Sequence, residues 1–359
     1  MSAPLVVLAA GGTGGHVFPA EALAGALAKR GFRLALVTDD RGTRYGGALG
    51  DIETHRLPIR KMTGKIWQRL LGALSLLPGF FAARKLLGTL QPDAVVGFGG
   101  YPSLPTMFAA RRRCRTALHE QNAILGRVNR LVAAGVDTVA TSFADTKGVG
   151  ANARHVGNPV RASVQALRAN TYELPHEKFR LLVTGGSQGA SVFGRVVPQA
   201  LALLSPEQRQ RFALVQQTRA EDCEAVESRY RTLGMNAEVA PFFADLPQRM
   251  ANAHLVVARA GASTVAELAC IGRPSLLVPY PHATDDHQTA NAKAVADAGA
   301  AWLVPENDFS AADLAARLAA LLADPAPLGA MAGAAHASGK PDAAENLADL
   351  VQRLAEAKP

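Results

Sequence analysis

Short, largely apolar runs recur along this chain, each ending in a glycine, proline or polar turn and separated by helix-length intervals. In the first half they are Leu5-Val6-Val7-Leu8, Arg33-Leu34-Ala35-Leu36-Val37, Ala94-Val95-Val96-Gly97, Thr116-Ala117-Leu118-His119 and Thr138-Val139-Ala140-Thr141. Apolar strands alternating with crossover helices predict an α/β fold whose parallel sheet is covered on both faces. The pattern breaks at Gly157-Asn158-Pro159-Val160-Arg161, and a weakly patterned stretch runs to Pro175. It resumes at Phe179–Val183, Phe212–Val215, Ala237–Ala240, Leu255–Ala258 and Ser275–Val278. This predicts a first domain over 1–160, a linker over 161–176 and a second domain over 177–340. Leu347, Leu350, Val351 and Leu354 then recur at helical spacing, so an amphipathic helix over 341–357 must pack on something.

Each half opens with a strand running into a glycine-rich turn. The first is Gly11-Gly12-Thr13-Gly14-Gly15-His16 and the second Gly185-Gly186-Ser187-Gln188-Gly189-Ala190. A strand, a tight turn and a helix leave bare N–H groups at a helix N-terminus, where phosphate binds well. Glycine also serves any tight strand-to-helix junction, so either turn alone has a purely structural explanation. Their repetition predicts two nucleotide-type domains facing one cleft and a phosphorylated, nucleotide-linked substrate. A dinucleotide is disfavoured despite Asp39 and Asp40 after the second strand: Val17 stands where the third glycine of Gly-x-Gly-x-x-Gly belongs, and the second turn fails the spacing too. His16, at the N-terminal end of the first helix, is either a neutral general base or a residue that caps and packs the turn.

The chain has 359 residues and a net charge of +8, which favours anionic partners. Nucleic acid is not expected, since no reading motif or aromatic-studded basic strand accompanies the charge. Three scattered cysteines, Cys114, Cys223 and Cys270, fit a reducing compartment, and the opening Met1-Ser2-Ala3-Pro4 lacks a basic leader, so a cytoplasmic location is expected. The run from Ile66 to Phe81 is unusually apolar and rimmed by Lys61, Lys65, Arg69, Arg84 and Lys85. It either faces the core of the first domain or docks shallowly on anionic lipid; Pro78-Gly79 and Arg69 argue against a spanning helix.

Seven strings, in order along nearly the whole chain, resemble the MurG family of N-acetylglucosaminyltransferases. They are Gly11–Pro19, Gly99-Gly100-Tyr101-Pro102-Ser103, His119-Glu120-Gln121-Asn122, Val156–Arg161, Gly185–Ala190, Arg259–Glu267 and Asp285–Ala292. The resemblance implies a GT-B fold, two Rossmann-like domains with parallel sheets facing a central cleft. It also implies transfer of N-acetylglucosamine from UDP-N-acetylglucosamine to the C4 hydroxyl of the muramyl sugar of lipid I, undecaprenyl-pyrophosphoryl-N-acetylmuramyl-pentapeptide, with inversion, giving lipid II for peptidoglycan.

By the same resemblance the C-terminal domain binds the donor and the N-terminal domain the acceptor, with the terminal helix returning to the latter. Ser187 and neighbouring amides would hold the diphosphate, Glu267 the ribose diol, and the backbone at Phe243 the uracil edge. Only the main-chain contact is carried over at Phe243, where an aliphatic residue is common. Ala262, Ser263, Thr264, Val265 and Ala266 would line the sugar-phosphate and Gln288 would bond the sugar hydroxyls; His287 departs from the family's usual glutamine. Arg161 would reach the nucleotide, while Thr13, Gly14, Gly15 and Asn122 would line the acceptor side. His16 would be the base. No cofactor is implied, and no Asp-x-Asp motif in a suitable setting argues for a tightly held metal. A peripheral place on the cytoplasmic face of the inner membrane, with other cell-wall synthesis proteins as partners, is also implied. Two rivals remain at this stage: a UDP-N-acetylglucosamine epimerase sharing the shape and donor, and a non-catalytic nucleotide-sugar scaffold.

Overall fold

The computed structural model describes residues 3–11, 14–39, 47–58, 66–186 and 189–357, with backbone only over 66–75. These fall into two compact units, Met1–Arg161 with Pro341–Pro359, and Ala162–Lys340. Unit 1 holds a parallel sheet of β1 (Leu5–Ala9), β2 (Arg33–Asp39), β3 (Glu53–Leu57), β4 (Ala94–Gly97), β5 (Arg115–Glu120), β6 (Thr138–Thr141) and β7 (Ala153–His155). Its order is β3-β2-β1-β4-β5-β6-β7. The central strands are buried on both faces, so they read as unbroken apolar runs. β1 pairs with β2 on one side and β4 on the other, through Val6–Leu34 and Val6–Ala94. The order of connections therefore reverses between β1 and β4, which is where open α/β sheets hold their ligands.

Unit 2 repeats the plan with β8 (Phe179–Thr184), β9 (Phe212–Gln217), β10 (Ala237–Ala240), β11 (Leu255–Ala258), β12 (Ser275–Leu277) and β13 (Ala301–Leu303). The order β10-β9-β8-β11-β12-β13 puts its reversal between β8 and β11. Residues 162–176, expected from sequence as a linker, pack within unit 2. Val164 is fully buried, Arg168 donates to the Cys270 and His336 carbonyls, and the Tyr172 hydroxyl donates to the His254 carbonyl at 2.9 Å.

The terminal helix Ala343–Glu356 belongs to unit 1. Its Leu347, Ala348, Leu350 and Val351 join a core with Val6, Leu8, Leu23 and Leu27. Arg30, in the turn just after the first helix (Gly14–Lys29), binds Glu345 at 2.6 Å and Asp349 at 2.7 Å across the seam.

The apolar run of the first half forms one helix, Ile66–Leu90, which continues through Pro78. Its faces differ in burial. Ala83 and Leu87 are buried, while Leu77 and Phe81 are exposed. Among the described residues no single helix is long and apolar enough to cross a bilayer.

Candidate functional site

In unit 1 the turn after β1 and the turn after β4 meet at the switch point. The helix Gly14–Lys29 starts there, so His16 lies in its first turn, where the positive end of the helix dipole disfavours imidazolium. Gly99 and Gly100 close over the ring with positive φ of 86° and 76°. A Cβ on either would come within 3.3 Å of an imidazole carbon of His16, so only glycine allows the backbone so near. Burial lowers the His16 pKa, opposed by its bond to Gln121 and by the Glu120 carboxylate. His16 Nδ1 lies 3.2 Å from Gln121 Oε1.

The end of β5 supplies a buried polar run. Burial pushes His119 down to about 4, so it is neutral, and its Nε2 faces the Gly157 carbonyl at 3.2 Å. The Glu120 carboxylate is buried and organises the loop that follows. Its Oε1 accepts from Asn122 N–H at 3.0 Å and from the Asn122 side-chain amide at 3.1 Å; its Oε2 accepts from Gly126 N–H at 2.9 Å and Asn129 Nδ2 at 2.8 Å. Asn122 is thereby held at the strand's end, beside the neighbour of His16. The Phe18 ring covers Gly14, and Arg161 stacks on that ring. Gly15 is exposed, with open space where its Cβ would sit. Thr13 lies outside the described residues.

In unit 2 the turn after β8 is built on glycines for want of room. A Cβ on Gly185 would lie 2.3 Å from the Ala190 nitrogen, and Gly186 and Gly189 hold φ of 73° and 66°. The Thr184 hydroxyl braces the turn: it receives Gly186 N–H at 3.4 Å and donates to Gln217 Oε1 at 2.6 Å. Ser187 lies outside the described residues, so its contacts are not placed.

The helix Ala262–Ile271 follows β11 on the other side of the switch point. Its first-turn amides at Ser263 and Thr264 precede the first intrahelical bond, which Val265 N–H makes to the Gly261 carbonyl at 3.0 Å. Val265 therefore has no free amide, and its side chain is buried; Ala266 follows it further into the helix. The Ser263 hydroxyl is buried with no hydrogen-bond partner among the described residues. Glu267, one turn further in, is buried as well. Arg259 pins this region by pairing with Glu306 and donating to the Val278 and Pro279 carbonyls at 3.1 Å.

Beyond β12 the chain reaches Asp285 and Asp286, both in left-handed backbone at φ 55° and 53°, and then the helix His287–Ala296. Gln288 Oε1 accepts from Tyr280 N–H at 2.9 Å, which turns its amide nitrogen away as the donor. His287 Nδ1 is taken by the Thr284 carbonyl at 2.7 Å. Phe243 turns its ring inward under Arg249, 4.3 Å from the centroid, and its carbonyl accepts from Leu246 N–H at 3.3 Å.

Phe18, Gly99, Gly100, His119, Glu120 and Gln121 lie within the family strings, which by themselves give these residues no role. A polar run closing an otherwise apolar buried strand was the signal for the last three.

Comparison with known proteins bears on this arrangement. Residues 6–141 match the glycosyltransferase family 28 N-terminal domain, and residues 180–347 match that family's C-terminal domain. A protein of Rhodospirillum centenum, named UDP-N-acetylglucosamine–N-acetylmuramyl-(pentapeptide) pyrophosphoryl-undecaprenol N-acetylglucosamine transferase, is 55% identical over 98% of this chain and 94% of its own. A Mesorhizobium japonicum protein of the same name is 47% identical over 100% of this chain and 97% of its own. The crystal structure of MurG from Acinetobacter baumannii is similar at 31% identity and TM-score 0.79, covering 98% of this chain and 99% of that one. A UDP-N-acetylglucosamine 2-epimerase structure reaches TM-score 0.69 at 13% identity, over 98% of this chain and 96% of that one, a likeness of fold alone.

Two doubly wound units with glycine turns at their switch points, matched along their length by transferases, define a nucleotide-sugar glycosyltransferase of the GT-B class. The chain belongs to glycosyltransferase family 28, and within it to the MurG family of N-acetylglucosaminyltransferases.

Proposed function

We propose that this enzyme transfers N-acetylglucosamine from UDP-N-acetylglucosamine to the C4 hydroxyl of the muramyl sugar of lipid I, inverting the anomeric centre and giving lipid II. The observation that carries the chemistry is His16, an imidazole kept neutral by burial at the switch point of unit 1. In the displacement, the bond from the anomeric carbon to the UDP oxygen breaks as the acceptor oxygen attacks from the opposite face. The hydroxyl proton passes to His16, and the leaving diphosphate takes the electron pair. No metal is needed in this reading. Amides of the turn over 185–190 and of the helix start at Ser263 and Thr264 supply the stabilisation.

Unit 2 is accordingly the donor side. Ser187 and the Ser263 hydroxyl serve the diphosphate, Glu267 the ribose, the backbone of Phe243 the uracil, and the Gln288 amide the sugar hydroxyls. Unit 1 is the acceptor side, with Thr13, Gly14, Gly15 and Asn122 near the acceptor pyrophosphate and Arg161 toward the nucleotide.

Peripheral docking on the inner face of an anionic membrane belongs to the same reading. The helices Ile66–Leu90, Ser103–Ala110 and Arg127–Val132 pack side by side and expose Leu77, Phe81, Phe108 and Leu131. Arg84, Lys85, Arg111, Arg112 and Arg113 are exposed around them. A basic-rimmed apolar face suits a polyprenyl-linked substrate. The sequence had pointed to the helix Ile66–Leu90 only; exposed Phe108, Leu131 and the arginine triplet support extending the reading to its neighbours. Lys61 and Lys65 lie outside the described residues.

One assay tests the reaction. Purified enzyme with UDP-N-acetylglucosamine should release UDP only when a lipid I analogue is present. Donor turnover without acceptor would support an epimerase instead, and no release under either condition would support a scaffold.

A further inference from the structure

Gln121 is buried at the end of β5, and only one orientation of its amide satisfies what surrounds it. The amide nitrogen lies 3.0 Å from the Phe98 carbonyl oxygen, 3.0 Å from the His119 carbonyl oxygen and 3.1 Å from His119 Nδ1. Carbonyl oxygens only accept, so the nitrogen must face them; the reversed amide would set oxygen against oxygen twice. The amide oxygen is therefore the atom turned to His16, 3.2 Å from its Nδ1. That oxygen only accepts as well. The proton of neutral His16 thus resides on Nδ1, and the lone pair on Nε2.

His119 is set in the opposite sense by the same amide. Its Nδ1 receives a Gln121 hydrogen, and its Nε2–H donates to the Gly157 carbonyl at 3.2 Å. Burial keeps His119 neutral, at about 4, so this ring does not compete for a proton. The charged group acting on His16 is the Glu120 carboxylate, which favours the imidazolium formed during transfer. The ring cannot step aside, since the Gly99 and Gly100 backbones wall it in.

We propose that Gln121 is a positioning residue for the transfer: it locks His16 as the Nδ1–H tautomer, so that Nε2 faces the acceptor hydroxyl with an open lone pair. This rests on the reading of His16 as the base. Imidazole in water prefers the proton on Nε2, where it would block the reaction. Gln121 reverses that preference, and its oxygen keeps its bond when Nε2 takes the proton.

The test is a long-range proton–nitrogen correlation spectrum of the full-length enzyme carrying ring-labelled histidine, His16 being assigned by its loss in His16→Ala. The wild-type protein should show His16 as the Nδ1–H form at pH 7.5. Gln121→Met, close in size but without an acceptor, should move His16 to the Nε2–H form and lower kcat by at least about tenfold, with KM for UDP-N-acetylglucosamine unchanged; a wrong-tautomer histidine has cost about 10,000-fold elsewhere. Wild-type His16 in the Nε2–H form overturns the proposal, and this needs no variant to fold. A tautomer switch without loss of kcat overturns it too, as does loss of kcat with the tautomer unchanged. Failure of the base reading is separate and shows as near-normal turnover in His16→Ala.

Discussion

The guanidinium of Arg161 lies over the ring of Phe18, 4.0 Å from its centroid, and the same ring covers Gly14 so closely that a Cβ there would approach it to 3.1 Å. The last residue before unit 2 is thus stacked on the first two turns of the helix that carries His16.

Arg161→Met keeps the stem and removes the charge. Loss of the cation–π contact should cost about 0.5–2 kcal/mol, lowering the thermal midpoint of unit 1 by a few degrees in calorimetry. An unchanged midpoint would show that the stacking contributes nothing.

At Gly185 the obstacle is main chain, not a side chain that can rotate away. Gly185→Ala sets a Cβ 2.3 Å from the Ala190 nitrogen, so the turn must open, at about 1–3 kcal/mol of overpacking strain. Titration calorimetry should show weaker UDP binding. Gly15→Ala, with open space at its Cβ, is the contrasting control for steric effects in a glycine turn.

His16→Ala should lower kcat by about 100- to 10,000-fold and leave the Kd for UDP near the wild-type value. Because burial lowers the His16 pKa, the acidic limb of the wild-type kcat profile should fall below about pH 6.5. A limb above that value would assign the titration to another group. Glu267→Ala should do the reverse of His16→Ala, weakening UDP by about tenfold or more through loss of a charged hydrogen bond.

Acid should destabilise both units through buried histidines, His119 and His16 in unit 1 and His254 in unit 2. His119 in unit 1 and His254 in unit 2 are both pushed down to about 4, chiefly by burial, the latter also by the Arg180 charge. The unfolded chain binds these protons near pH 6.5 while the folded units refuse them. Stability is therefore intact above about pH 6.5 and declines on acidification toward 4, each such histidine costing up to about 1.4 kcal/mol per pH unit. Urea unfolding at stepped pH measures the slope; a flat response from pH 6.5 to 4.5 would contradict it.

Phe81 and Leu131 are 63% and 64% exposed, on the helices Ile66–Leu90 and Arg127–Val132. Changing both to serine should reduce co-flotation with anionic vesicles by about tenfold per side chain if each is buried in lipid. Soluble turnover with a short-chain acceptor should be unaffected. Equal flotation of variant and wild type would remove this face from membrane docking.

Much of the fold was legible because the central strands, buried on both faces, must be apolar throughout. β1, β4, β8 and β11 follow from that rule alone, and with them the places where the glycine turns lie. The strands that escaped notice, β3, β7 and β13, are all sheet edges. An edge strand has one partner and a wetter face, so Glu53-Thr54-His55-Arg56-Leu57 and Ala153-Arg154-His155 carry no apolar signature. Residues 162–176 lack an apolar pattern for a related reason. They are held by side chains reaching distant carbonyls, such as Arg168 to Cys270, and such bonds leave no periodicity.

Local pattern and motif were enough for the two α/β units, their glycine turns and the family of transferases, because each depends on neighbours a few residues apart. Which atom of His16 bears the proton, and which helix faces join the apolar patch, depend on residues brought together from far along the chain. Gln121 meets His16 across 105 positions because β1, β4 and β5 lie side by side in register, and only the folded sheet brings them there.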